Sequence, residues 1–303
     1  MMTYQKPAAL IGAHISIAGG TPLAFGRGVE AGCAAMQVFT KNATRWEAAP
    51  LAPGEAALFQ SEQARTGIAP VVAHGSYLIN LASPDPVLLE RSRLAFLEEL
   101  RRAGALGLPC VITHPGAHMG AGVESGLARV AESLDWIEER AGEGAPLVCL
   151  ENTAGPGTVL AGDFAHLGVI FARVRNRSRL GVCLDTCHAH AAGYDFTTPA
   201  AYHASLAALE AAVGPGRVLA IHLNDAKGER GSRLDRHEHL GRGRIGLECF
   251  RLFMNDERFA GVPKIIETPK EENGRQMDPV NLAVLRRLVG VKRVPPAFTR
   301  EVS

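Results

Sequence analysis

The sequence has no long hydrophobic run, no closely paired cysteines and almost no net charge. No apolar stretch approaches the ~18 residues of a transmembrane helix, so we expect no membrane partner. The first ten residues, MMTYQKPAAL, lack the charged region and long apolar core of a secretion signal, and we expect a cytoplasmic protein. The six cysteines form no C-x-x-C pair, which is typical of reduced, mostly buried cytosolic thiols. A net charge of +1 gives no global field, so a nucleic-acid partner would have to meet a local basic patch.

The chain does contain a regular alternation of strand-like and helix-like segments. Short apolar segments with the length of buried strands recur at 9–14, 34–39, 70–74, 110–114, 147–151, 180–185, 218–224 and 264–268. The segments between them are rich in Ala, Leu, Glu and Arg. Those at 88–105 and 127–140 have apolar residues at the three- and four-residue spacing of helices. Strands that alternate with helices predict a parallel sheet.

The most economical architecture for such a chain is a closed (β/α)8 TIM barrel that forms one domain over residues 1–303. An open doubly wound sheet is the alternative. That fold usually carries a glycine-rich phosphate loop after its first strand, and Gly19-Gly20 is too weak a match. We interpret 291–303 as a flexible tail.

Most of the predicted strands end in a side chain that can bind metal. These strand-end residues are His74, His114, Glu151, Asp185, His222 and Glu267. In a TIM barrel all C-terminal strand ends converge on one face, where active sites lie. His, Asp and Glu without thiolates suit zinc or a similar first-row ion, and several carboxylates permit more than one ion. We therefore predict a metal cluster at the C-terminal face of the strands.

The segment GVCLDTCHAH (181–190) places Asp185 at the end of the sixth strand and His188 three residues later. Taken alone, Asp185 is equally well interpreted as the N-cap of a helix. A carboxylate at the end of a buried strand, however, is rarely left without a partner or a metal ion. The other strand-end donors favour the metal site.

The segment LDRHEH (234–239) places Asp235 and His237 two residues apart, which points both side chains to one side of an extended loop. Taken alone, the segment is interpreted as a solvated charged loop. Beside the strand-end donors, we interpret it as a metal-binding arm, a loop that supplies further metal ligands. We expect His239 to be exposed and His14 to support the ligands rather than bind metal.

A set of motifs follows in unbroken order between residues 10 and 290: IGAHIS (11–16), FTKN (39–42), AHGSYLINLASP (73–84), HPGAH (114–118), ENTAGPG (151–157), GVCLDTCHAHAAGYD (181–195), HLNDAK (222–227), LDRHEHLGRGRIG (234–246) and IETP (266–269). Together they resemble the endonuclease IV family, the trinuclear-zinc apurinic/apyrimidinic endonucleases of base-excision repair. Any one motif would be weak evidence, but the ordered set is specific. The family fold is the TIM barrel already inferred.

The resemblance implies three zinc ions. One would lie on His74, His114 and Glu151, and a second on Glu151, Asp185, His222 and Glu267. The third would be held by His188, Asp235 and His237. Glu151 would bridge the first two ions and is the candidate catalytic residue, because it could take the proton from attacking water.

The implied reaction is hydrolysis of the phosphodiester 5′ to an abasic site in duplex DNA, which leaves a 3′-hydroxyl and a 5′-deoxyribose phosphate. Trimming of blocked 3′ ends is a second activity typical of the family. Closely spaced metal ions suit this chemistry, because they activate water at neutral pH and neutralise charge on the phosphate and the leaving oxygen.

A DNA-binding face needs cations and wedge-like side chains near the metal ions. Suitable residues follow the second, third and seventh strands: Lys41, Arg45, Trp46, Tyr77, Asn224, Lys227, Arg233, Arg242 and Arg244. Six basic residues against three acidic ones lie between 227 and 244. Members of the family carry an Arg two residues after the Asn of FTKN, where this chain has Thr44. Either Arg45 takes the place of the family arginine after a small loop shift, or this chain fills the gap at the lesion less well. Trp46 is interpreted equally well as a DNA contact and as a core residue.

Two other functions remain as alternatives. A divalent-metal sugar isomerase or epimerase could use Glu151, Asp185, His222 and Glu267, but it does not need the His74–His114 pair or the 235–237 arm. A non-catalytic damage-binding protein does not need ligands for three metals. We therefore favour a zinc endonuclease, and we expect it to be a monomer.

Overall fold

The computed structural model describes residues 9–302 and shows a closed barrel of eight parallel strands. The barrel strands are β1 (Ile11–His14), β2 (Ala35–Phe39), β3 (Val71–His74), β4 (Cys110–Thr113), β5 (Leu147–Glu151), β6 (Leu180–Asp185), β7 (Val218–His222) and β10 (Lys264–Ile266). Two short antiparallel hairpins flank β10: β8 (Asp225–Ala226) with β9 (His237–Glu238), and β11 (Glu271–Glu272) with β12 (Arg275–Gln276). Strand β10 closes the barrel by pairing with both β7 and β1. The predicted TIM barrel is confirmed.

Helices cover the outside of the barrel. They are α1 (Ala24–Ala31), α2 (Glu55–Thr66), α3 (Pro86–Leu106), α4 (Val123–Ala141), α5 (Phe164–Arg173), α6 (Thr186–Ala192), α7 (Pro199–Val213), α8 (Leu247–Asn255), α9 (Asp278–Leu288) and α10 (Pro296–Val302). Single 3-10 turns occur at Thr21–Leu23, Arg177–Arg179 and Glu257–Phe259. The two helices predicted from apolar spacing are α3 and α4. Among residues 9–302, no helix is long and apolar enough to cross a membrane.

The start of α3 shows how local sequence sets a helix boundary. The Asp85 side chain accepts hydrogen bonds from the backbone N–H groups of Val87, at 2.8 Å, and Leu88, at 3.3 Å. Pro86 occupies the first helical position, where its missing N–H costs nothing. This N-terminus orients a long helix whose inner face carries Glu99 and Arg102 into the barrel wall.

A small apolar cluster lies inside the barrel, below the predicted metal residues. It consists of Val72, Cys110, Ile112, Cys149, Cys183 and Ala220. Side chains two residues apart on a strand share a face, so Cys149 lies below Glu151, and Cys183 lies below Asp185. Burial raises the pKa of the Cys183 thiol to about 12, which keeps it neutral. All six cysteines are free and five are buried, so the thiols pack the barrel, as expected.

Within 291–303, where we predict a flexible tail, the structure instead contains helix α10. Phe298 on this helix is 3% exposed, and the Arg287 guanidinium lies 3.9 Å from the centre of its ring. Burial of an aromatic ring ties the helix to α9, a feature that the short polar sequence does not reveal. The single-domain organisation over 1–303 stays a prediction.

The loop after the β8–β9 hairpin is held by one buried carboxylate. Asp225 Oδ2 accepts hydrogen bonds from the N–H groups of Gly241, at 2.9 Å, and Gly243, at 3.1 Å. Its Oδ1 accepts from Ile245 N at 2.9 Å. A Cβ at Gly243 would lie 2.4 Å from Oδ1, so this position requires glycine. Asp225 thus fixes the loop that presents Arg242 and Arg244 beside the barrel mouth.

Candidate metal centre

Glu151, at the end of β5, lies at the centre of a histidine cluster. Its Oε2 is 3.1 Å from His74 Nε2 and 3.3 Å from His114 Nε2. Its Oε1 is 3.0 Å from His222 Nδ1 and 3.2 Å from His188 Nδ1. The parallel register brings the ends of β3 to β7 together, as predicted from the strand ends. One fully buried carboxylate therefore contacts four imidazoles.

A second group of donors shares Glu151. One ligand atom from each of Glu151, Asp185, His222 and Glu267 lies within 4.8 Å of the others. His222 Nδ1 is 3.3 Å from Glu267 Oε2 and 3.8 Å from Asp185 Oδ2. Asn224 Nδ2 donates to the same Asp185 oxygen at 2.7 Å, which holds that carboxylate in place. Three carboxylates around one imidazole nitrogen form an oxygen-rich cation site.

The third group lies where α6 meets the 235–237 loop. Asp235 Oδ1 is 3.2 Å from His188 Nε2 and 3.6 Å from His237 Nε2. Asp185 also belongs here, because one of its ligand atoms lies within 4.8 Å of those of both histidines. The side chain of Asp235 is half exposed, so this group faces the solvent at the barrel mouth.

Each of three histidines has its Nδ1 against a backbone carbonyl. Its Nε2 faces a carboxylate, which is Glu151 for His74 and Asp235 for His188 and His237. The partners of Nδ1 are Gly75 O for His74 at 2.7 Å, Asn152 O for His188 at 3.0 Å, and Glu267 O for His237 at 3.1 Å. A histidine that donates one ring N–H to such a partner presents the lone pair of its other nitrogen, which is how metal-binding histidines are oriented. His222 is reversed, because its Nε2 contacts the Gln37 side chain at 2.7 Å.

The electrostatics of the cluster favour cations. Burial acts to raise the pKa of the Glu151 carboxyl, but the surrounding histidines, His222 foremost, hold it well below its usual range. Burial acts to lower the pKa of His188, but Asp185 and its neighbours raise it well above the ordinary value. Ionised carboxylates therefore draw positive charge onto the facing rings, and divalent ions satisfy the same field.

The hydrogen bonding and the chemistry of the donor atoms show whether metal ions fit this cluster. Between residues 9 and 302, the buried Nε2 atoms of His114 and His237 have no hydrogen-bond partner, although Glu151 Oε2 lies only 3.3 Å from the first. A ring nitrogen that faces a carboxylate at this distance needs either a proton or a metal cation between the two atoms. Nitrogen and carboxylate donors without thiolate suit zinc and similar ions. The residues fit a polynuclear metal site.

Other histidines take supporting places. His14 Nδ1 is 3.1 Å from Glu267 Oε1, in line with the expected supporting role. His239 is not exposed as expected: it is 4% exposed, and its Nδ1 contacts Asn281 Nδ2 at 3.0 Å. The partner that buries it comes from α9, which is remote in sequence. Gln37 was not anticipated, because an amide inside a strand carries no metal-ligand signal.

The predicted DNA-contacting residues divide into buried and exposed groups. Lys41 is 4% exposed and Asn224 is fully buried. Lys41 Nζ pairs with Glu99 Oε1 at 3.3 Å, and Asn224 Nδ2 donates to Asp185. Both side chains therefore have partners inside the protein, and their contact with DNA stays a prediction. Trp46 is half-buried, with the Arg91 guanidinium 4.6 Å from its ring centre. The remaining predicted residues are exposed at the surface: Arg45, Tyr77, Lys227, Arg233, Arg242 and Arg244.

A cleft of about 460 Å³ opens over the metal groups, with His114, Asp235 and Tyr77 among its lining residues. Tyr77 is 62% exposed at its edge. Arg242 pairs with Glu272 at 2.7 Å, and Arg244 pairs with Glu229 at 3.1 Å. Thr44 donates to the Asn42 side chain at 2.8 Å in a tight turn, and this turn leaves Arg45 exposed. A cleft lined by metal-binding candidates together with Lys227 and Arg236 suits an anionic, extended substrate.

A closed parallel barrel with a polynuclear donor set at its strand ends defines the class of metal-dependent TIM-barrel enzymes. A family model described as "Xylose isomerase-like TIM barrel" matches residues 25–288. "Probable endonuclease 4" of Chloroflexus aggregans is 50% identical over 280 residues, which are 92% of this chain and 98% of the relative. The protein of the same name from Geobacter sulfurreducens is 45% identical over 92% of this chain and 94% of its own.

Solved structures agree. Endonuclease IV from Thermus thermophilus is 37% identical, covers 92% of this chain and 98% of its own, and superposes with a TM-score of 0.81. This chain belongs to the endonuclease IV family, as its motifs predict. A D-tagatose 3-epimerase-like protein, 19% identical with a TM-score of 0.68 over 91% of this chain and 96% of its own, shares the fold alone. The barrel therefore does not separate nuclease from epimerase, and the donor set must do so.

Proposed function

We propose that this chain is a zinc-dependent AP endonuclease of base-excision repair. It hydrolyses the phosphodiester 5′ to abasic sites in duplex DNA, leaves 3′-hydroxyl and 5′-deoxyribose phosphate ends, and removes blocking groups from 3′ ends. The observation that carries the proposal is the shared position of Glu151 between two donor groups, with a third group adjoining them. The relatives named endonuclease 4 or endonuclease IV support it.

We assign three zinc ions to the nine donors. The first is held by His74, His114 and Glu151. The second is held by Glu151, Asp185, His222 and Glu267, and the third by His188, Asp235 and His237. When bound, zinc supplies activated water at neutral pH and positive charge for the phosphate and leaving oxygen.

Glu151 is the proposed catalytic residue. Its pKa lies well below the usual range despite full burial, because the surrounding histidines stabilise the carboxylate. It is therefore ionised at neutral pH, which is the state that a general base for the attacking water requires. The carboxylate is fixed by contacts to four imidazoles, so its position between the donor groups is set by the protein.

The proposed DNA face surrounds the cleft. Lys227, Arg233, Arg242 and Arg244 are exposed and would bind backbone phosphates. Tyr77 would stack beside the lesion, where duplex stacking is weakest. Arg45 is the exposed cation of the 42–46 turn and would take the place of the family arginine that Thr44 replaces; half-buried Trp46 supports that turn.

The decisive experiment combines zinc analysis with incision of a duplex that carries one tetrahydrofuran abasic analogue. We expect about three zinc ions per chain and a single cut 5′ to the lesion. Glu151→Gln should lower turnover by orders of magnitude and largely spare DNA affinity, whereas Glu90→Gln at an exposed position of α3 should change neither. Equal loss of turnover and affinity would mean that Glu151 only maintains the fold.

The same assay separates the alternatives. A sugar epimerase would bind a single metal ion, turn over a ketose and leave the duplex intact. A damage-binding protein would retain the abasic duplex without cutting it. The complete His74–His114 pair and the Asp235–His237 arm argue against both, because neither function needs them.

We also propose that the enzyme acts as a monomer in the cytoplasm. Six free cysteines, five of them buried, suit a reducing compartment. Light scattering on the zinc-loaded protein should give the mass of a single 32.2 kDa chain. A dimer mass would overturn the proposed oligomeric state without affecting the proposed reaction.

A further inference from the structure

Gln37 on β2 joins residues from three other barrel strands or their ends. Its side chain lies in the barrel interior, 0% exposed. The amide nitrogen Nε2 is 2.7 Å from Glu267 Oε1 and 2.8 Å from His14 Nδ1. The amide oxygen Oε1 is 2.7 Å from His222 Nε2. One amide therefore contacts side chains from β1, β7 and the end of β10.

The contacts leave only one orientation for this amide. An ionised carboxylate can only accept hydrogen bonds, so the group 2.7 Å from Glu267 must be the amide N–H. The carbonyl oxygen then faces His222, whose Nε2 must carry a hydrogen. The other ring nitrogen, Nδ1, faces Glu151 Oε1 at 3.0 Å and Glu267 Oε2 at 3.3 Å.

Among the four metal-binding candidates His74, His188, His222 and His237, His222 is the one whose outer ring nitrogen contacts a side-chain amide, that of Gln37. His74, His188 and His237 are oriented by backbone carbonyls, which no substitution of the partner removes. The orientation of His222 depends on a side chain, and Gln37 also fixes Glu267 in the same donor group. A single substitution can therefore disturb one metal position and spare the other two.

We propose that Gln37 is a positioning residue for the metal ion held by the Glu151, Asp185, His222 and Glu267 group. It fixes the ring of His222 with Nε2 protonated and Nδ1 towards the ion, and it aims Glu267 at the same point. Partners of this kind change metal affinity by about 10- to 100-fold when removed. The inference rests on the metal centre of the proposed function.

The test is zinc release from Gln37→Met, which keeps the length of the side chain and removes the amide contacts to Glu267, His14 and His222. Zinc-loaded protein is titrated with a chromophoric chelator. We expect the same total zinc as in the wild type, with one equivalent released at about 10- to 100-fold lower chelator strength. Gln60→Met, a matched change at an exposed position of α2, should release zinc like the wild type.

The visible absorption spectrum of the Co²⁺-substituted protein gives a second measurement, which would not change if Gln37 only stabilised the fold. In Co²⁺-substituted Gln37→Met we expect altered visible absorption bands, because the ligand field at one site changes. Release curves and spectra identical to the wild type would overturn the inference, even if the variant melts at a lower temperature.

If Gln37→Met does not fold, the wild type decides the question. The ¹⁵N–¹H spectrum of zinc-loaded protein with labelled histidine should show His222, assigned through His222→Gln, protonated at Nε2. Protonation at Nδ1 would overturn the inference. A wild type without zinc would refute the metal centre and this inference together, whereas a zinc-loaded wild type that cuts no abasic duplex would refute the proposed activity alone.

Discussion

The buried pair of Lys41 and Glu99 should be among the most costly interactions in the protein to break. Their Nζ and Oε1 atoms are 3.3 Å apart, and each side chain is 2% exposed. Lys41→Met leaves the Glu99 carboxylate buried without a counter-charge, and Glu99→Leu leaves the Lys41 ammonium buried without one. Removal of one member of such a pair costs about 3 to 5 kcal/mol, so we expect each single variant to lose that much stability.

The double variant Lys41→Met/Glu99→Leu separates charge from packing. With both charges gone, the loss of unfolding free energy should fall short of the sum of the single variants by at least ~2 kcal/mol. A cost remains because the Ser76 N–H, which lies 3.1 Å from Glu99 Oε2, loses its acceptor, worth about 1 to 3 kcal/mol. Urea unfolding followed by far-UV circular dichroism measures all three, with Lys292→Met at an exposed position as control.

The pair also has a functional consequence. Lys41 Nζ donates to the carbonyl of Arg45 at 2.7 Å, and Glu99 holds the turn that leads to Tyr77. Both single variants should therefore bind abasic duplex more weakly at unchanged zinc content. Single costs below about 1 kcal/mol, or a double cost equal to the sum, would refute the argument that this pair is buried and coupled.

Three further predictions concern the basic loop and a buried amine. Arg242→Ala/Arg244→Ala should lower the magnitude of the salt slope of DNA binding by about 1 to 2, since each phosphate contact contributes about 0.9; an unchanged slope in fluorescence anisotropy would place both residues away from phosphates. Gly243→Ala should weaken DNA binding several-fold at constant zinc content, because its Cβ would lie 2.4 Å from Asp225 Oδ1; equal affinity would contradict the anchoring role. Burial lowers the pKa of Lys264 from 10.5 to about 8, so the unfolded chain binds more protons between those values. Relative to Lys264→Met, the wild type should gain roughly 2 to 3 kcal/mol in urea unfolding as pH rises through that window; a constant difference would contradict the shift.

The metal-binding candidates could be predicted because their positions are tied to strand ends. A parallel barrel brings every C-terminal strand end to one face, so His74, Glu151 and Asp185 needed only a correct strand pattern. The Asp235–His237 arm could be predicted through its two-residue spacing and the family resemblance. These inferences use the pattern of strands and the spacing of neighbouring residues, which a single sequence displays directly.

The surroundings of the site could not be predicted in the same way. Lys41 has the composition of a DNA-contacting residue, and only its contact with Glu99, far along the chain, shows that it is buried. Gln37 is a polar residue in an apolar strand, and its three contacts come from strands that the sequence does not order in space. Phe298 is buried because α9 lies beneath it. Each depends on long-range packing, which local patterns do not encode.

The segment 181–190 combines two interpretations that its sequence leaves as alternatives. Asp185 Oδ1 accepts the backbone N–H of His188 at 2.7 Å and so caps α6. Its Oδ2 lies 3.8 Å from both His222 Nδ1 and His237 Nε2. The cap therefore fixes the carboxylate that the second and third donor groups share. It also sets the direction in which the His188 side chain projects from α6. Because one carboxylate serves the cap and both groups, Asp185→Asn should disturb the second and third metal positions together, whereas Gln37→Met should disturb only the second.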